Sequence, residues 1–535
     1  MPVIEIRIDP DGTEFAANRA AMLEKVEGVR AIEARVTEAA EAMRVRYETR
    51  GNIMPQDRLN LLLDPGSPFL ELSSLAGYMM YDDRDGTGAG AGCIAGIGYV
   101  SAVRCLIVVD NFAVKGGTIS PVGLQKKLRL QEIALENRLP VVTLAQSGGA
   151  NLAYAAEVFI PGGRAFANQA RLSAAGVPQV TVVHGSATAG GAYQPGLSDY
   201  IVMVKRQATT YLAGPPLLKA ATGEVATDEE LGGAEMHTQV SGVGDYLARD
   251  DADGIRLARE IVAQLPWAGE RAAARPHEAP LYPAEELLGI VPADPKRPYD
   301  CREIIARIAD GSAFLDFKPD YDGQTVCGHI HVEGHAVGVI GNNGPITAPG
   351  AAKGGQFIQL CEQAGIPILF LHNITGFLVG TDAEQSGIIK HGAKMIQAVA
   401  NATVPKISIN VGGSYGAGNY AMCGRGFDPR FLFSWPNSRT AVMGGAQAGM
   451  VLRIVAGAKM AKAGAVDEEK LAALEARTRD EMDAKTTALA STARMEDDGL
   501  IDPRDTRKVL GFVLDICREA GARRLRANTF GVARF

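Results

Sequence analysis

Residues 177–193 read VPQVTVVHGSATAGGAY, and residues 404–420 read VPKISINVGGSYGAGNY. Each stretch is a Val/Ile-rich run that ends in glycines and then turns helical, the pattern of a buried strand feeding a helix. A second pair lies upstream, LPVVTLAQSGGA at 139–150 and IPILFLHNITGF at 366–377. Both pairs share one offset, since 367 − 140 and 405 − 178 are each 227, and it brings Gly149 onto Gly376, Gly185 onto Gly412, Gly191 onto Gly418 and Tyr193 onto Tyr420. Two matches at a single spacing, with no insertion between them, predict that one α/β unit occurs twice.

Around these stretches, short apolar runs such as CLIVVD (105–110) alternate with helical patterns, after an Ala/Glu/Arg-rich helical start at about 15–49. Between 266 and 298 the periodicity lapses and seven prolines fall. The reading is an N-terminal domain over 1–265, a Pro-rich linker over 266–298 and a C-terminal domain over 299–535.

Composition narrows the class. The 535 residues are 21% charged and 47% hydrophobic with a formal charge of −7, and acidic and basic residues are mixed along the chain. That argues against nucleic acid and against a polybasic membrane surface. Seven scattered cysteines form no C-x-x-C pair, so neither a zinc site nor a disulfide scaffold is expected. The start, MPVIEIRIDPDGTEF, lacks a basic segment followed by an apolar run, and no apolar run nears the roughly 20 residues of a membrane helix. A cytoplasmic protein with no metal and no membrane contact is expected.

Chemistry has few obvious seats in side chains. There is no G-x-x-x-x-G-K-[ST] loop and no dinucleotide G-x-G-x-x-G turn, which leaves no nucleotide site. Ser147 precedes two glycines without the G-x-S-x-G pattern of a hydrolase, and His184, His237 and His372 show no ligand spacing. Alanine, not methionine, precedes Lys394 and Lys459 in the two AKM triplets, so no biotin attachment site is expected on this chain. The glycine turns offer something else. N–H groups at a helix start are unpaired and suit an oxyanion or a phosphate. A tight turn alone would explain any one of them; recurrence at the equivalent place in both halves points to function.

The residues RGNIMPQDRLNLLLDPGSPFLEL (50–72), VVDNFAVKGGTISPVGLQKKLRLQEIA (108–134), TAGGAY (188–193), AGPPLLKAATGE (213–224), EELGGAEMH (229–237), GSYGAGNYAMCGR (413–425) and DDGLIDPRDTRKVLG (497–511) resemble the carboxyltransferase (β) subunit of biotin-dependent acyl-CoA carboxylases over essentially the whole chain. The resemblance implies a fold of two tandem crotonase-like domains, each a ββα superhelix. AGPPLLKAATGE and SYGAGNYAM look like the methylcrotonyl-CoA and geranyl-CoA branch. Methylcrotonyl-CoA enzymes resemble HFGRIFYNQ where this chain has PGGRAFANQ (161–169), which sets Gly162 in place of a bulky aromatic, as in geranyl-CoA carboxylases. Methylcrotonyl-CoA or another medium or long acyl-CoA is the alternative substrate, and a non-catalytic assembly subunit the alternative of a different class.

The implied reaction moves CO₂ from carboxybiotin, carried on a partner biotin carboxylase/biotin carrier α subunit, to the γ-carbon of an acyl-CoA. Charge develops on the thioester oxygen and on the biotin ureido oxygen, so two donor sets are expected: Gly190 and Gly191 for the first, Ala417 and Gly418 for the second. The resemblance further assigns Gly148, Gly149, Ala150, Gly162, Gly163, Ala189 and Phe377 to the acyl-CoA, and Thr375, Gly376, Tyr415 and Gly416 to biotin. It implies a β6 homo-oligomeric core within an α6β6 complex. No side chain need act as the base.

Overall fold

The computed structural model describes residues 1–267, 275–295, 297–464 and 466–533. Their contacts divide into two compact units. The first comprises Ala31–Ala273, Ala493–Met495 and Ile516–Phe535; the second comprises Met1–Arg30, Ala274–Thr492 and Glu496–Asp515.

In the first unit an eight-stranded sheet runs in the order β1-β2-β3-β4-β5-β6-β8, with β7 on β5. The strands are β1 (Leu70–Glu71), β2 (Cys93–Val100), β3 (Val103–Asp110), β4 (Val141–Ser147), β5 (Gln179–Thr188), β6 (Tyr200–Val204), β7 (Thr209–Tyr211) and β8 (Tyr246–Ala248). The second unit holds β9 (Leu315–Asp316), β10 (Thr325–Val332), β11 (His335–Asn342), β12 (Ile368–Ile374), β13 (Lys406–Tyr415), β14 (Phe431–Ser434) and β15 (Arg439–Ala441). Its order, β14-β13-β12-β11-β10-β9 with β15 on β13, repeats the first sheet strand for strand apart from β8. In both sheets the hairpin strands are antiparallel and the following three strands parallel.

The spacing read from the sequence holds to the residue. β4 and β12 begin and end 227 positions apart, as do β5 and β13. β3 and β11 are 232 apart, so the loop after β3 carries five residues more than the loop after β11. Those extra residues fall in the NFAVKGGTIS segment, where Lys115, Gly116 and Gly117 all take positive φ.

The expected boundaries at 265 and 299 miss an exchange of both chain ends. Near the N-terminus, the Asn18 side chain donates to the Gly289 carbonyl at 3.4 Å, and the Arg7 N–H donates to Glu303 at 2.7 Å, which ties residues 1–30 to the second unit. Near the C-terminus, Arg523 stacks over the Trp267 ring at 5.2 Å, and the Asn528 N–H donates to the Ala174 carbonyl at 2.8 Å, within the first unit. The Pro-rich stretch is no loose tether where it is described. Leu287, Leu288 and Ile290 are fully or almost fully buried on the short helical turn Leu287–Ile290, and residues 268–274 and 296 of the expected linker lie outside the described residues.

Candidate functional site

Strand periodicity splits the first sheet into two different faces. Cys105, Ile107 and Val109 of β3, Val142 and Leu144 of β4, and Val180 and Val182 of β5 form a dry core against Leu59, Leu62 and Ile261. The alternate residues, Leu106, Val108 and Asp110 together with Val141, Thr143, Ala145 and Ser147, face a cavity of about 620 Å³. Its other walls are the helices Pro121–Glu136 and Ala155–Ala175, which contribute residues three and four apart, such as Leu124, Lys127 and Gln131, and Gly162, Phe166 and Gln169. The lining spans Val141 to Ser147 on β4, six steps of about 3.3 Å each, so the slot is roughly 20 Å deep.

The second unit has the same walls, and apolar side chains pack between them at the matching positions. At positions 227 further on, Phe357, Ile358, Ile368 and Phe370 replace Leu130, Gln131, Val141 and Thr143, and all four are buried in one apolar cluster. The same architecture is therefore a packed core in one unit and a slot in the other.

At the mouth of the slot lies the TAGGAY turn. Gly190 and Gly191 line it, Gly190 exposed and Gly191 buried, within the short 3₁₀ turn Ala189–Ala192 that follows β5. Ala189 is held at φ +54, a left-handed conformation that costs an L residue of order 1 kcal/mol or more and clusters at functional sites. A Cβ added to Gly191 would come no nearer than 3.9 Å to Gly149, so this glycine is not forced by packing within the free chain.

Beside it, SGGA is tied down by backbone bonds. Ser147 Oγ donates to the Gly117 carbonyl at 2.8 Å, the Gly148 N–H donates to the Gly116 carbonyl at 3.2 Å, and the Ile119 N–H donates to the Gly149 carbonyl at 2.9 Å. The Ser147 hydroxyl thus serves the turn. Ala150, Gly162 and Gly163 line the slot; Gly148, Gly149 and Ala189 shape its rim from the turns and are not among the lining residues.

The SYGAGNY turn repeats this geometry. Gly416, counterpart of Ala189, has φ +55, and Gly376, counterpart of Gly149, has φ +124. Ala417 is exposed and Gly418 buried at the start of the helix Gly416–Ala421, as Gly190 and Gly191 are in the first unit. Gly418 differs in being sterically required, because a Cβ there would stand 2.6 Å from Ile374 Cγ1. Thr375 is exposed, and burial raises the Tyr415 phenol above its usual range. Phe377, expected at the acyl-CoA, lies in the second unit, partly buried against Ala348, Ala383 and Ile388. It bridges to Ile346 as its counterpart Ala150 bridges to Ile119.

A buried ionic network holds the end of β4. Arg58 donates through Nη2 to Asp251 Oδ2 at 2.9 Å and through Nη1 to Gln146 Oε1 at 2.7 Å, while Asp251 Oδ1 faces His184 Nδ1 at 2.8 Å. Burial, reinforced by the Arg58 charge, pulls the His184 pKa down to about 4 against the opposing pull of Asp251. His184 is neutral in the folded protein, while the unfolded chain takes up a proton below about 6.5. Stability contributed by this histidine is present above that value and falls as pH drops toward 4. Between pH 6.5 and 5 the loss is about 2 kcal/mol. Urea midpoints at the two pH values should therefore move further apart in the wild type than in His184→Gln, and an equal shift in both would refute the assignment.

Two features escaped the sequence reading. Asp110 and Lys127 face the slot, the carboxyl pushed up and the ammonium pulled down by burial. A separate cavity of about 330 Å³ is lined by Arg46, Arg50 and Lys115, beside Gly116 and Gln146, which directly precede the slot-lining Gly117 and Ser147. The run of cations in RVRYETR (44–50) was its only trace in the sequence. Among the described residues no group of three or more His, Cys, Asp or Glu could hold a metal ion, and no helix is long and apolar enough to cross a membrane.

Comparison with known proteins agrees with this architecture. The carboxyl transferase domain family matches residues 46–529. The probable biotin-dependent acyl-coenzyme A carboxylase beta2 subunit of Mycobacterium tuberculosis is 48% identical over 515 residues, 96% of each chain. The biotin-dependent 3-methylcrotonyl-coenzyme A carboxylase beta1 subunit of the same organism is 50% identical over 487 residues, 90% of this chain and 91% of that one. Among solved structures, the β subunit of geranyl-CoA carboxylase from P. aeruginosa superposes with a TM-score of 0.93 at 64% identity, covering 100% of both chains. With nearly its whole length matched in this way, the chain belongs to the carboxyl transferase domain family and is a carboxyltransferase (β) subunit of a biotin-dependent acyl-CoA carboxylase.

Proposed function

We propose that this subunit carboxylates the γ-carbon of a branched α,β-unsaturated acyl-CoA, and that geranyl-CoA is its substrate. One observation carries the reading: Gly162 lines the slot, and a Cβ built there meets nothing within 4 Å. Space that an aromatic ring would fill is open to a longer branched chain, and each methylene buried in it contributes about 0.8 kcal/mol. The test is bicarbonate fixation by the complex with its biotin-carrying partner. Geranyl-CoA should be used with a higher kcat/KM than methylcrotonyl-CoA; the reverse order would favour the methylcrotonyl reading, and no fixation with either a non-catalytic role.

In this reading the thioester oxygen accepts from the N–H groups of Gly190 and Gly191; the Gly190 N–H has no acceptor within the 3₁₀ turn, and the Gly191 N–H shares itself with the Thr188 carbonyl. Carboxybiotin, when bound, supplies the CO₂. Ala417 and Gly418 fit an anionic oxygen of that group for the same reason, with Thr375, Gly376, Tyr415 and Gly416 around them and Phe377 on the acyl side. The equal spacing and strand order of the two sheets support two crotonase-like domains derived from one duplicated unit. The assembly is a β6 core bound to α subunits, acting in the cytoplasm.

The cavity of Arg46, Arg50 and Lys115 adjoins the slot across Gly116–Gly117 and suits the phosphates of CoA, since no acidic side chain lines it. Arg46→Ala or Lys115→Ala should raise the KM for the acyl-CoA about tenfold with little change in kcat, the signature of uniform binding. A fall in kcat at constant KM would place these residues elsewhere in the mechanism.

A further inference from the structure

The slot is not uniformly apolar. Asp110 stands at the end of β3, level with Ala145 on β4, two residues short of Ser147 and so about 7 Å below the glycine turn. Lys127 faces the same space from the helix Pro121–Glu136, where its Nζ donates to Gln194 Oε1 and lies 6.0 Å from the Phe166 ring centre. Each of the two groups feels the other's charge, and among the described residues no ion pair joins them. One Asp110 oxygen accepts from the Gln146 N–H at 3.1 Å.

The comparison between units makes these residues conspicuous. Where the first unit has Lys127, Gln131, Thr143 and Gln169, the second has Gly354, Ile358, Phe370 and Ile396 at the positions 227 further on. At these four positions the second copy is apolar where the first offers donors and acceptors, whereas Asp110, whose counterpart at the end of β11 is Asn342, is polar in both. A slot that received only a hydrocarbon chain would desolvate an ammonium that has one acceptor, Gln194, and a carboxylate that has one donor, the Gln146 N–H, and would add no partner to either.

We infer that the slot receives a branched acyl-CoA carrying a hydroxyl group on the distal part of its chain, held between the Lys127 ammonium and the Asp110 carboxylate. This rests on reading the slot as the acyl site. A hydroxyl donates once and accepts twice, so it can serve both groups at the same time. A carboxylate substituent would be drawn to Lys127 and repelled by Asp110; a neutral group answers the neutral pair. Carbon–carbon bonds of about 1.5 Å, zigzagging, advance roughly 1.3 Å each, so about 7 Å from the thioester carbon corresponds to the sixth or seventh carbon of the chain. The seventh carbon of a geranyl chain bears a hydroxyl once water has added across the distal double bond. A hydratase acting on that bond is thus the class of reaction that would supply the substrate.

The probes are geranyl-CoA and its 7-hydroxy hydrate, assayed with the complete αβ complex. In the wild type, kcat/KM for the hydrate should exceed that for geranyl-CoA at least about tenfold. Lys127→Met should bring the ratio to one or below, while Asp110→Asn, which keeps a hydrogen-bonding side chain, should hold it above one. The ratio is internal to each variant, so a partly unfolded preparation does not change it, and the wild-type comparison stands if a variant cannot be made. Equal or poorer use of the hydrate by the wild type would identify the station as a water site and overturn the inference while leaving geranyl-CoA carboxylation intact. Failure of both probes would overturn the functional reading as well.

Discussion

Gly162→Phe should lower kcat/KM for geranyl-CoA by up to about a thousandfold while leaving methylcrotonyl-CoA within about tenfold of the wild type. The two acyl groups differ by five carbons, and at about 0.8 kcal/mol per buried carbon the full loss of that contact is about 4 kcal/mol, or three decades. Gly162 lies inside the helix Ala155–Ala175, where a side chain in place of glycine also raises helix propensity. Nothing stands within 4 Å of the new Cβ, so the side chain leaves the helix toward the slot without a clash at its first atom. Folding should be unharmed, and thermal melting provides the control. An equal loss on both substrates in a normally melting variant would place the gate at another residue, with Phe159 and Ile160 on the same wall the next to try.

How far the sequence carried this result depends on which residues are asked. The paired runs 139–150 with 366–377 and 177–193 with 404–420 were legible because β4, β5, β12 and β13 are parallel strands buried on both sides, which write themselves as unbroken apolar runs. Both glycine turns were legible for a related reason. Positive φ at Gly149 and Gly376 leaves a signature at fixed distance from the strand. What failed was whatever depends on chain ends meeting distant partners. No local pattern tells that residues 1–30 pack with Gly289 and Glu303, or that residues 516–535 return to Trp267.

The slot itself was invisible for a different reason. Thr143 and Phe370 look equally at home in a Val/Leu-rich strand, and neither residue by itself tells that one lines a cavity and the other fills a core. Asp110 and Lys127 read as ordinary surface charges at a strand end and on a helix. The 227-residue offset was in hand, and comparing polar against apolar residues across it would have marked the slot from sequence alone.

Gly191→Pro should cut carboxyl transfer by about 10²–10³-fold, corresponding to the roughly 3–4 kcal/mol that one preorganised oxyanion donor supplies. Removing a side chain cannot delete an N–H, and proline can. The site has room for the ring, since the nearest neighbours to a new Cβ at Gly191 are 3.9 Å away; in the 3₁₀ turn Ala189–Ala192 the Gly191 N–H also faces the Thr188 carbonyl three residues back, and proline removes that weak bond along with the donor. The residue before it is Gly190, whose missing Cβ relieves the clash that proline imposes on its predecessor. Gly191→Ala is the control, since it adds a Cβ of the same reach and keeps the N–H; it should retain much more activity than the proline variant. Equal loss in both would mean that bulk at this turn, not the missing donor, stops the reaction. Normal turnover by a folded Gly191→Pro enzyme would remove the TAGGAY backbone from the chemistry altogether. The counterpart experiment at Gly418 cannot be read as cleanly, because there even a Cβ meets Ile374 at 2.6 Å and any substitution disturbs the end of β12. The two turns share a backbone, but only the first leaves the glycine free of packing, so it is in the first that a backbone donor can be removed and its contribution measured.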